Sequence, residues 1–81
     1  MKLNDEQNRA FMSDPRRVAA QKELDSITQH ISHDLKSDGS AMYYLSVLPP
    51  LLRQLETAYE NLSTVEATIT AELLNQNRFH G

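Results

Sequence analysis

Apolar residues recur at intervals of three and four along most of the chain. Ala20, Leu24, Ile27, Ile31 and Leu35 follow one another at steps of 4, 3, 4 and 4. That spacing keeps them on one side of a helix and fits no strand alternation. Just upstream, Ser13-Asp14-Pro15 supplies a capping side chain and then a proline at the first helical position, where its missing N–H costs nothing. The pattern predicts a helix over 15–36. A second series runs Leu45, Leu48, Leu52, Leu55, Tyr59, Leu62, Val65, Ile69 and Leu73, again at steps of three and four. Its phase survives Pro49-Pro50, although two adjacent prolines remove two donors and clash with the preceding turn. A short helix over 41–48 and a long one over 50–76 are expected, kinked or restarted at the prolines. Ser63-Thr64-Val65-Glu66 matches a capping box and hints at a further break. The β-branched stretch around it resembles a strand by itself, but no other segment offers a partner.

Between the two series lies Lys36-Ser37-Asp38-Gly39-Ser40, which holds the one glycine inside the chain and marks where the chain turns. If it reverses there, residues whose numbers sum to about 78 lie side by side. Leu24 then meets Leu55, Ile27 meets Leu51 or Leu52, Ile31 meets Leu48, and Leu35 meets Met42 or Leu45. The same rule brings Lys22 near Glu56, Arg17 near Glu60, and Arg9 near Glu66 or Glu72, a basic first half against an acidic second half. A further short helix over 5–12 is opened by Asn4 with Gln7 three residues on, a possible capping box, and carries Leu3, Ala10 and Phe11 on one side. It is expected to fold back across the hairpin, with Phe79 packing on it if the two ends meet.

Length and composition narrow the picture. Eighty-one residues leave room for one domain, 1–81. The chain is 40% hydrophobic and 6% aromatic, with no cysteine and no tryptophan, which excludes disulfide scaffolds and zinc fingers. A net charge of -3 gives no general attraction to nucleic acid or anionic lipid. No apolar run approaches the roughly 18 residues of a membrane span, and the first residues do not read as a signal peptide, so a cytoplasmic chain is expected. The fold expected is all-α: an antiparallel helical hairpin with a Pro-kinked second arm and a short N-terminal helix.

Two helices bury each other's stripes only partly, while every ordered residue costs about 1.5 kcal/mol, so a lone hairpin is marginal. Leu51, Ala58 and Leu74 widen the stripe of the long helix, and Met42, Tyr43, Tyr44 and Val47 crowd the kink. A second copy completing a helical bundle is the simplest cover, and a groove on a different protein is the alternative. Leu51, Leu55, Ala58, Leu62, Tyr43, Tyr44, Arg16 and Arg17 are therefore the candidate partner-binding residues.

Catalytic chemistry finds little support. His30, His33 and Asp34 sit close enough on one helical face to suggest a divalent metal. Ile31 and Leu35 define the buried side, however, which turns those three toward water, and no glutamate general base stands at motif spacing. Phosphate loops, Ser-His-Asp arrangements and dinucleotide fingerprints are absent. Arg9, Arg16, Arg17 and Lys22 form the sole basic concentration, and the acidic helix accounts for it better than a nucleic acid does. No catalytic, cofactor or metal residue is assigned. The expectation is a non-enzymatic, self-associating protein–protein interaction module acting as an assembly component or adaptor. The alternative is a small inhibitor of the phage or mobile-element kind that blocks a larger host enzyme or regulator.

Overall fold

The computed structural model describes residues 2–37 and 39–80, with side chains described through residue 76. It is all-helical, with no strand among the described residues. Three helices, α1 (Asp5–Ser13), α2 (Pro15–Ser37) and α3 (Leu48–His80), are joined by one residue between α1 and α2 and by a π-helical turn, Tyr43–Val47, leading into α3. α2 packs on α3, and α1 touches both. The molecule is elongated, 58 × 18 × 17 Å.

Local chemistry sets each boundary. Asn4 caps α1 by accepting from the Gln7 N–H at 2.8 Å, while Gln7 Oε1 accepts from the Asn4 N–H at 3.0 Å, a complete capping box. α1 ends where the Asp14 N–H reaches the Phe11 carbonyl. Asp14 then caps α2: its Oδ1 accepts from the Arg16 N–H at 2.9 Å, its carbonyl accepts from the Val18 N–H, and Pro15 takes the first helical position. At the other end of the molecule, Ser40 Oγ accepts from the Tyr43 N–H, and the Ser40 carbonyl accepts from the Tyr44 N–H.

The prolines do not break the helix. Helical backbone is continuous from Ala41 to His80, so the separate helices expected over 41–48 and 50–76 are one element. The physical reason lies one turn upstream. In the π-turn the Leu48 N–H donates to the Tyr43 carbonyl, five residues back, and this wider loop makes room for rings that would strike an ordinary α-turn. Nor does α3 break at Ser63–Glu66. Gly39 supplies no unusual backbone either, since no glycine has a positive φ among the described residues. The expected packing of Phe79 lies outside the described side chains.

Burial is concentrated where three helices meet. Ala20, Leu62, Ile69 and Leu73 are buried toward that end, Ile69 most completely, together with the Gln7 side chain. Toward residue 39, where α1 does not reach, Leu24, Ile27, Ile31, Leu48 and Leu55 are only half-buried, while Ala58 and Tyr43 are buried. The sheltered stripe on α3 is Leu48, Leu51, Leu55, Ala58, Leu62, Val65, Ile69 and Leu73. The expected series also placed Leu45, Leu52 and Tyr59 in that seam, and they stand outside it.

Candidate interaction surface

At the three-helix end, polar groups close the structure on itself. Gln7 Nε2 donates to the Leu73 carbonyl at 3.0 Å in a buried bond that ties α1 to α3. Arg17 is a node for all three helices. Its Nε donates to Glu66 Oε2 at 3.0 Å, its Nη1 reaches the Met12 carbonyl, and its guanidinium lies 5.3 Å from the Phe11 ring centre. Arg16 grips two carboxylates, with Nε and Nη2 donating to Asp14 and Nη1 and Nη2 donating to Glu72, the shortest at 2.7 Å. Those hydrogen bonds from Arg16 hold the Asp14 and Glu72 carboxyls below their ordinary pKa, and the two carboxylates in turn raise that of Arg16.

These ion pairs differ from the expected ones. Arg17 meets Glu66 rather than Glu60, and Glu72 meets Arg16 rather than Arg9. An extended arginine spans about one 5.4 Å helical turn, so charge pairing alone fixes the helix register no better than that. Apolar neighbours fix it more closely: Ile27 shares one shallow groove with Leu51 and Gln54, and another with Pro50 and Ala58.

The opposite half presents an apolar face. Leu45 is 77% exposed, Leu52 48% and Tyr59 63%, and the three follow at intervals of seven residues, Leu45 in the π-turn and Leu52 and Tyr59 on α3. Met42, 70% exposed, continues the row, and Tyr44, Val47 and Leu35 are exposed nearby. The Tyr44 ring stands edge-on against the buried Tyr43, with centres 6.0 Å apart, which fixes its orientation at the surface. Soluble monomers usually scatter exposed apolar residues singly, so this row of large ones is a candidate contact surface.

The candidate partner-binding residues divide accordingly. Tyr43, Ala58 and Leu62 are buried within the chain, Leu51 and Leu55 are half-buried against α2, and Arg16 and Arg17 are engaged with Glu72 and Glu66. Tyr44 alone of the eight is an exposed apolar contact. Leu45, Leu52 and Tyr59, members of the apolar series, are exposed, and their seven-residue spacing does not set them apart, since the sheltered Leu48, Leu55 and Leu62 share it. His30 Nε2 lies 3.3 Å from Asp34 Oδ2, one turn along α2, and no three His, Asp or Glu side chains among the described residues gather as a metal site. No helix among them is long and apolar enough to cross a membrane. Compared with known families, curated proteins and solved structures, the chain matches none.

Proposed function

We propose that this chain is a non-enzymatic helical interaction module, an antiparallel hairpin that self-associates into a larger helical bundle and serves as an assembly component or adaptor. The observation that carries this reading is the uneven cover of α3. Where α1 is present the apolar stripe is shielded, and where it is not, Leu45, Leu52 and Tyr59 face outward. A second copy laid on that row supplies what α1 supplies at the other end, and burying it is worth about 25 cal/mol per Å2 before the cost of association.

Sedimentation equilibrium over a concentration series tests the reading. A dimer or larger assembly is expected at micromolar concentration, with a melting temperature that rises with protein concentration. Leu52→Asp should yield a folded monomer, because it places a charge in the contact without touching the buried Ala58–Leu73 seam. A wild-type chain that stays monomeric throughout would end the self-association reading and favour docking on a different protein.

A further inference from the structure

Two copies could meet on the α3 face in many ways, but three of its features select one. The first is symmetry. Leu45, Leu52 and Tyr59 form a row whose middle member is seven residues from each of the other two. A two-fold axis through such a row sets Leu52 on Leu52 and, twice over, Leu45 on Tyr59 of the second copy, the isologous contact of a closed dimer.

The second feature is in the backbone. The Leu48 N–H is taken by the Tyr43 carbonyl, and the next two residues are prolines, which have no N–H to give. The Leu45 carbonyl therefore has no donor at either the fourth or the fifth following residue. The Tyr44 carbonyl is in nearly the same state, its fourth-residue donor being engaged and its fifth a proline. Both belong to exposed residues. The third feature is Tyr59, which is exposed and whose hydroxyl makes no hydrogen bond to another described residue. In the symmetric arrangement this free donor comes over the residue whose carbonyl lacks one.

We infer that two copies pair α3 against α3, antiparallel about Leu52, with each Tyr59 hydroxyl donating to the Leu45 carbonyl of the other copy. The inference rests on the self-association proposed above and adds its geometry. Met42, Leu45, Leu52 and Tyr59 together leave on the order of 500 Å2 uncovered, most of the ~800 Å2 that each partner contributes to a standard interface. The paired prolines then have a role beyond bending. They free a carbonyl inside an apolar seam, and a single polar match there fixes register as a buried asparagine does in a coiled coil.

The chain contains no cysteine, so Asn61→Cys and Thr68→Cys, both at exposed positions, each accept a single spin label. At 1.5 Å rise per residue on both helices, the label-to-label distances between copies should be about 30 Å at position 61 and about 50 Å at position 68. Equal short distances at both sites would mean parallel pairing. Any other spacing in an assembled sample would overturn the geometry while leaving self-association standing, and a monomeric sample would overturn both. Tyr59→Phe should weaken assembly about tenfold, two modest hydrogen bonds being lost. In a Pro49→Ala background the new N–H at position 49 satisfies the Leu45 carbonyl, and Tyr59→Phe should then have no effect. An equal loss in both backgrounds would show that the hydroxyl bonds elsewhere.

Discussion

Changing Gln7 to glutamate sets the rules of an isolated helix against the tertiary structure. Position 7 is the third residue of α1, where a carboxylate completes a capping box and interacts well with the helix dipole. Helix rules alone therefore predict a neutral or stabilising change. In the folded chain Gln7 is only 8% exposed, and its amide nitrogen donates to the Leu73 carbonyl at 3.0 Å. A carboxylate keeps the acceptor for the Asn4 N–H but sets a buried negative oxygen against a carbonyl oxygen. The loss of that bond and the desolvation of the charge should together cost about 2–4 kcal/mol at pH 7. Gln7→Ala, which loses the cap and the tether without burying a charge, should cost about 2 kcal/mol. The two variants also differ in pH response. The native state favours the protonated acid, which restores a donor, so the introduced group has a raised native pKa and the native state binds more protons. The Gln7→Glu deficit should shrink as pH falls through that raised value, and the Gln7→Ala deficit should not. Urea denaturation followed by circular dichroism, at one protein concentration and at pH 7 and 5, reads both. A glutamate variant as stable as wild type at pH 7 would refute the buried tether.

Arg17→Ala should destabilise by about 1–2 kcal/mol, since it removes a partly sheltered ion pair with Glu66 and the cover of Phe11, whereas Arg16→Ala, at an exposed and solvent-screened site, should cost less by the same denaturation assay. Gly39→Ala should be neutral or stabilising by up to about 1 kcal/mol: the Gly39 φ is not positive, and the nearest atom to an added Cβ is the Leu35 carbonyl oxygen at 3.9 Å. A large loss of thermal stability there would contradict the turn described. Asp14 and Glu72 have lowered native pKa values, so the unfolded state binds protons first. Their contribution is present above the ordinary carboxylate range near pH 4 and is lost as pH falls through the native values. Arg16→Gln should flatten that acid limb in a pH 2–6 stability profile.

Much of the helical layout was legible in the residues, and the places where it was not share a cause. The steps from Ala20 to Ile31 describe one narrow stripe with polar residues on either side, and only a helix with that face inward satisfies it. Asn4 and Gln7 announce a cap because both partners are close in sequence. That Gln7 also reaches Leu73 could not be read, because the bond depends on where α1 lies in space. The α3 series is ambiguous for a different reason. Leu45, Leu52 and Tyr59 interleave with Leu48, Leu55 and Leu62, so their combined steps of three and four look like one face. A single α2 is too narrow to cover both rows, and periodicity does not say which is sheltered. Pro49-Pro50 promised a break because the usual cost of proline assumes an ordinary α-turn before it, and the π-turn changes that assumption.

The uneven cover also bears on motion. Backbone amides from about residue 66 to 73 lie where both α1 and α2 pack on α3, while those from about residue 24 to 35 and from 45 to 52 are sheltered on one side only. Hydrogen exchange should therefore proceed from the turn inward, the tip opening without the base, on a scale of free energies that runs from near zero up to that of global unfolding. A rod anchored at one end and breathing at the other can adapt its tip to whatever it meets while the anchored end keeps its shape.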